Sequence, residues 1–173
     1  MKNIISFPEL TTENLQLRKV NLEDIHEIYK IRSDESIATY LDRPICKSID
    51  EAKKFILKMN EDFENKETIY WAICKKGEKK LIGTICLWKI LMSESKAEIG
   101  FELFTEYQGK GIMREAVPRV IDFAFNELGL YIIEGAVEMG NKRSIMLLER
   151  HGFKVSHVYD DNEDMILYEL RKD

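Results

Sequence analysis

The stretch Thr105-Glu106-Tyr107-Gln108-Gly109-Lys110-Gly111-Ile112-Met113-Arg114-Glu115-Ala116 holds the residues whose types and spacing are best suited to chemistry. Ahead of it, Lys96 to Phe104 alternates with the period of a strand, and behind it Val117, Val120, Ile121, Ala124, Phe125 and Leu128 recur at helical spacing. The layout is strand, glycine turn, helix. Glycines on either side of one residue let the backbone bend tightly and present successive amide N–H groups at a helix N-terminus, where the partial positive charge favours a phosphate or pyrophosphate. Lys110 adds a cation beside them, although the same pattern also suits an ordinary tight turn before a helix. Other phosphate motifs fit less well: GxxxxGK[ST] is absent, and Arg114 stands where the third glycine of GxGxxG would fall. A nucleotidase or a dehydrogenase is therefore disfavoured.

Upstream of the turn, Glu98 and Glu102 share one face of the strand because side chains alternate along it, and either reads as a general base or as a surface carboxylate. Downstream, the strand-like run Tyr131 to Val137 precedes Asn141-Lys142-Arg143-Ser144-Ile145-Met146-Leu147-Leu148-Glu149-Arg150-His151-Gly152-Phe153. The glycine turn resembles motif A of the GNAT superfamily of acyl-CoA N-acetyltransferases, [QR]xxGx[GA], with Gln108 and Gly111 in register and Met113 where Gly or Ala is usual. The later segment resembles the NxxSxxLxxxxGF helix and turn of the same superfamily, and Ala97-Glu98-Ile99-Gly100-Phe101 together with Gln108-Gly109-Lys110-Gly111 points to its RimJ/RimL-like branch.

The resemblance implies an α/β (α+β) GNAT-type acyl-CoA N-acyltransferase fold, with a central, mostly antiparallel twisted sheet and helices on both faces. Its cleft would open where the strands ending near Phe104 and Val137 splay apart. It further implies acetyl-CoA as co-substrate and no metal. Backbone groups around Phe101, Leu103 and Phe104 would pair with the pantetheine arm as an added strand would, an N–H near Leu103 polarising the thioester carbonyl. The N–H groups of Gln108, Gly109, Lys110, Gly111, Ile112 and Met113 would take the pyrophosphate, with Asn141 and Ser144 also at the cofactor.

Acetyl transfer from a thioester to an amine requires a group that takes the amine proton, a donor to the oxyanion and a proton for the departing thiolate. Glu98 matches the family position of a catalytic glutamate. Leu148 fills the position at which many relatives carry a tyrosine acid, so Ser144 becomes the candidate donor, with Tyr107, Tyr131 and Tyr159 behind it. Asn141 and Ser144 read equally well as helix caps, and His151 as a residue favoured by a helix C-terminus. Cys46, Cys74 and Cys86 lie outside any nucleophile motif, which favours direct attack in a ternary complex. Arg32, Tyr40, Arg43 and Trp71 are the candidates for the amine side, although an aromatic residue on a strand, as Trp71 is, more often belongs to the core. The branch suggests the N-terminal amine of a ribosomal protein; a polyamine, an amino sugar or a drug is the alternative, as is a CoA-binding module that has lost catalysis, with Leu148 and Met113 as signs of drift.

The elements that must position these groups are legible around them. The alternation Leu15 to Val20 predicts a strand, Asn21 a cap for a helix carrying Leu22, Ile25, Ile28, Tyr29 and Ile31, and Asp50 the start of a second helix with Ala52, Phe55, Ile56 and Met59 inward. After a loop around Asp42-Arg43-Pro44, Ile69 to Cys74 and Leu81 to Trp88 predict a hairpin whose Lys75 to Lys80 tip reads as a solvated turn. The loop between Ile90 and Ser95 precedes the next strand. With 173 residues, 45% hydrophobic and 33% charged, and no repeat or linker, the chain reads as one domain over 1–173. A net charge of -5 disfavours nucleic acid and favours a cationic acceptor. The odd, scattered cysteines, the absence of HExxH and GxSxG, and the lack of a long apolar run or a signal-peptide core predict a cytoplasmic protein. A homodimer is compatible with all of this.

Overall fold

A computed structural model describes residues 6–41, 43–158 and 164–172. The N-terminal alternation gives β1 (Leu10–Thr11) and β2 (Leu15–Lys19), with Leu15 and Leu17 fully buried. Asn21 then closes a capping box: its side chain accepts from the Glu23 amide at 2.8 Å while Asp24 accepts from the Asn21 amide at 3.0 Å. A single 3-10 turn leads into α1 (Ile25–Ser33), followed by the short α2 (Glu35–Ala38). The next helix, α3 (Ile49–Glu64), starts earlier than Asp50: Ser48 is the cap, its hydroxyl accepting from the Glu51 amide at 3.2 Å.

The change to period 2 produces β3 (Ile69–Lys75) and β4 (Leu81–Leu91), paired antiparallel, with the tip lysines exposed and Gly77 at φ +83° supplying the turn. Ile90 and Leu91 belong to β4, so the connection to β5 (Lys96–Leu103) is shorter than the sequence suggested. After the glycine turn come α4 (Ile112–Asp122), a π-helical turn at Phe123–Glu127, β6 (Ile132–Glu138), α5 (Lys142–Arg150), β7 (Lys154–Val158) and β8 (Met165–Arg171).

Among the described residues, eight strands form one sheet in the order β1-β2-β3-β4-β5-β6-β8-β7. All neighbours are antiparallel except β5 and β6. One face carries α1 and α3, around Val20, Ile28, Ala52, Ile56 and Tyr70. The other carries α4 and α5, around Trp71, Ala116, Val120, Phe123 and Leu148. That arrangement is the sheet covered on both faces that the sequence implied. Among the described residues no helix is long and apolar enough to cross a membrane.

The parallel pair is the feature on which the site depends. Its register runs Lys96 to Ile132, Ala97 to Ile133 and Glu98 to Glu134, then stops. Beyond it β5 continues along β4 to Leu103 while β6 continues along β8 to Glu138, so the two strands part.

Candidate active site

The parting strands, the glycine turn and the start of α5 enclose a cavity of about 820 Å³. A smaller recess at its base lies between Ile99, Gly100 and Phe101 of β5 and Gly135, Ala136 and Val137 of β6. Gly109 and Gly111 have φ of +74° and +83°, and Gly111 is the N-cap of α4. This left-handed backbone is what side-chain-bearing residues avoid, and it leaves the first amides of α4 at the cavity mouth. A Cβ built on either glycine meets no protein atom within 4 Å: it would project into open space.

Of the residues singled out from the sequence, Phe101, Leu103, Gln108, Gly109, Gly111, Ile112, Met113, Asn141 and Ser144 all border this cavity. Met113 packs against the main core as well, which is how the fold accommodates a large residue where the motif has Gly or Ala. Phe104 and Lys110 are not on the cavity wall. Phe104 packs toward the α1 and α3 face, and the Lys110 ammonium lies 5.8 Å from the centre of the Tyr107 ring. Asn141 is the N-cap of α5, its side chain accepting from the Ser144 amide at 3.1 Å.

The two carboxylates diverge in setting. Glu98 is 8% exposed, sits at the last register pair before the strands part, and bonds the Lys89 ammonium at 2.8 Å. It does not border the cavity. Glu102 does, and it accepts from Arg43. The Leu148 side chain is buried against Gly135, where a Cβ would come within 3.0 Å of it, so an apolar group fills the position of the expected tyrosine.

Several expectations are corrected. Trp71 is core, fully buried on the α4 face, with its indole N–H donated to the Pro8 carbonyl at 2.6 Å and its ring edge-on to Phe123. Arg32 does not line the cavity, its guanidinium stacking 3.8 Å above the Phe55 ring. Tyr107 and Tyr131 are also absent from the cavity wall, and Tyr159 lies outside the described residues. His151 is the C-cap of α5 as read, but burial and then Arg150 and Arg114 push its pKa down, so the helix end does not hold it as a cation. Cys86 is a poor nucleophile in this setting: burial, then Glu102, pushes its thiol up to about 12.

The structure adds cationic groups that the sequence reading passed over. Arg114, Lys142, Arg143 and Arg150 border the cavity near the glycine turn. Gln108 links two walls: its amide N–H donates to the Leu103 carbonyl at 3.1 Å, and its oxygen accepts from Arg143 at 2.5 Å. A signal was available, because Lys142 and Arg143 open α5 with no acid in its first turn, against the preference of a helix N-terminus for negative charge. Such a turn is stable when an anion joins it. Clustered cations, exposed helix amides and a gap between strands suit a molecule with phosphates at one end and a narrow, amide-bearing arm at the other. These are the features of a coenzyme A thioester, and the residues present fit one.

Comparison with known proteins agrees. Residues 14–154 match the family model described as acetyltransferase (GNAT) domain. An uncharacterized N-acetyltransferase of Bacillus subtilis, YoaA, is 31% identical over 148 residues, covering 86% of this chain and 84% of that protein. The ribosomal-protein-S5-alanine acetyltransferase of Vibrio fischeri superposes with a TM-score of 0.82 at 26% identity, over 96% of this chain and 97% of that one. The spermidine N-acetyltransferase of Vibrio cholerae, solved with CoA and spermine, gives a TM-score of 0.82 at 23% identity, over 91% and 95%. With its glycine turn, its parted strands and its asparagine-capped helix in the same order as the family's motifs, the chain belongs to the GNAT family of N-acetyltransferases.

Proposed function

We propose that this chain, as one unit over 1–173 in the cytoplasm, transfers the acetyl group of acetyl-CoA to a primary amine by direct attack in a ternary complex. The observation that carries the reading is the glycine cradle at the mouth of the cavity, opening onto the parted β5 and β6. Bound acetyl-CoA supplies a thioester carbonyl whose C–S bond breaks as the C–N bond forms. The N–H groups from Gln108 to Met113, with Arg143 held by Gln108, bind the pyrophosphate. Backbone groups of Phe101 to Leu103 align the arm, and the Leu103 N–H polarises the carbonyl.

For proton transfer, Glu98 takes the amine proton through a water, and Ser144 gives a proton to the thiolate. Two observations support Glu98: it is buried where the strands begin to part, and the 2.8 Å contact with the Lys89 ammonium fixes the position of its carboxyl group. Glu102 is the competing base because it borders the cavity directly. Glu98→Gln against Glu102→Gln, each read as kcat, decides between them. The acceptor we favour is a protein N-terminal amine. The acetyltransferase of Vibrio fischeri acts on an alanine of a ribosomal protein, and its backbone superposes over nearly all of this chain.

The test is thermal unfolding with acetyl-CoA, CoA, ATP and NAD in parallel. Acetyl-CoA at about 100 times its Kd should add about 2.7 kcal/mol of stability. A shift with acetyl-CoA and CoA alone is expected, to be followed by thiol-release assays on amines. Stabilisation by ATP or NAD in their place would overturn the proposal.

A further inference from the structure

Among the described residues, Glu102 is the one carboxylate on the cavity wall, and it is already occupied. Arg43 grips it with a two-pronged contact, Nε to Oε1 at 2.6 Å and Nη2 to Oε2 at 3.2 Å, and Arg32 Nη1 stands 3.9 Å from Oε1. The side chains are 12%, 14% and 10% exposed for Arg43, Arg32 and Glu102, so water screens this cluster weakly. The remaining N–H groups of Arg43 donate to the carbonyls of Ile31, Arg32 and Pro44, which fixes the segment after α2 to the end of α1 and to β5. One carboxylate between two guanidinium groups leaves this end of the cavity with a net positive charge, opposite in sign to the whole molecule. The rest of the wall here is Ser36, Ile37, Tyr40, Leu41 and Phe101, none of them able to neutralise a cation.

Resting on the acetyl-transfer reading above, we infer that Arg43 sets acceptor selectivity: by holding Glu102 it closes the cavity to polycationic amines and reserves it for acceptors that bring one amine. A polyamine keeps further ammonium groups charged after its reacting nitrogen has lost a proton, and each of those needs a carboxylate once it leaves water. To use Glu102, a polyamine must expel Arg43 from a nearly buried site where the guanidinium then keeps only backbone carbonyls. A peptide N-terminus becomes neutral when its single amine deprotonates and has no such requirement.

The experiment measures kcat/KM for spermidine and for a tetrapeptide without lysine or arginine, on the wild type and on Arg43→Met and Arg43→Lys. Selectivity is the ratio of the two acceptors within each variant, so a variant that folds only in part leaves the ratio unchanged. The wild type should favour the peptide by at least about tenfold, Arg43→Met should reduce that preference by about tenfold or more, and Arg43→Lys, which keeps the cation, should stay within about threefold of wild type. Preference of the wild type for spermidine, an unchanged ratio in Arg43→Met, or no turnover of either acceptor by either protein would each overturn the inference. Thermal stabilisation by acetyl-CoA, run on the same samples, separates the two failures: its persistence confines the error to selectivity, and its loss in the wild type removes the acetyl-transfer reading as well.

Discussion

Replacing Gly111 by alanine should damage the protein in two separable ways, and the fold contains a matched control. Gly111 and Gly77 both have φ of +83°, and a Cβ at either meets nothing within 4 Å. The backbone cost of the substitution is therefore the same at both, about 1–2 kcal/mol for a left-handed residue bearing a Cβ. For a chain of this size that lowers Tm by roughly 2–8 °C. The open space differs in kind, since Gly77 faces solvent at a hairpin tip and Gly111 faces the cavity. If phosphates occupy that cavity, the added methyl displaces them from the α4 amides, and a hundredfold loss of affinity would cut ligand stabilisation from about 2.7 to about 0.4 kcal/mol at the same concentration. The assay is calorimetric or fluorescence-monitored unfolding of both variants with and without acetyl-CoA, supported by direct titration. Equal Tm losses without ligand are expected, with the acetyl-CoA response kept in Gly77→Ala and largely lost in Gly111→Ala. Wild-type affinity in Gly111→Ala, and above all in the harsher Gly111→Asp, would show that the cradle does not hold the pyrophosphate.

Glu115, at the start of α4, is tied to the N-terminal segment by bonds from the Thr12 hydroxyl, the Asn14 amide and the Asn14 side chain. Burial alone would raise its pKa, but those bonds outweigh it and hold the carboxyl below its usual 4.5. A depressed carboxyl contributes fully above its unfolded pKa and loses that contribution as pH falls through the folded value. Glu115→Gln should thus cost about 1 kcal/mol at pH 7, after allowance for solvent screening, and progressively less below pH 4.5 in urea titrations; an equal cost at pH 3 refutes the account. Glu98→Gln should lower kcat by about a hundredfold and Ser144→Ala by less, with acetyl-CoA affinity kept in both; unchanged turnover in the pair removes these roles. Gly83→Ala places a Cβ 2.7 Å from both the Glu102 carbonyl and a Leu103 methyl, forcing β4 and β5 apart. We expect a loss of about 1–3 kcal/mol with a weakened acetyl-CoA response, and a neutral variant would mean that the strands yield more easily than their packing implies.

What could be read from the sequence was local. The hairpin β3 and β4, the glycine turn before α4 and the caps at Asn21 and Asn141 each depend on a few consecutive residues whose propensities agree. The start of α3 falls one residue before Asp50, at Ile49, because the Ser48 hydroxyl, accepting from the Glu51 amide, caps the helix there. The short edge strand β1 and the pairing of β8 between β6 and β7 offer little periodicity and rest on partners distant in sequence. Trp71 could be read either as core or as an amine-side residue because a strand buried on both sides loses its alternation: all but the last residue of β3 is buried, and Trp71 is core. The grip of Arg43 on Glu102 spans 59 positions, and no local pattern announces it.

A sheet normally keeps its unsatisfied edges at its rim, where lysines, prolines or short strands discourage another chain from joining. Here the facing sides of β5 after Glu98 and of β6 after Glu134 form a second pair of edges in the interior of the sheet. An edge of that kind would be an invitation to aggregation if a neighbouring protein could reach it. The recess between Phe101 and Val137 holds only about 60 Å³ and is bordered as well by Tyr40, Leu41 and Leu148. A second polypeptide would have to enter it threaded end-on, whereas a slim molecule with amides along its length can slide in and out. The same gap that suits a narrow ligand thus filters by girth, keeping adhesive backbone in the interior of the sheet.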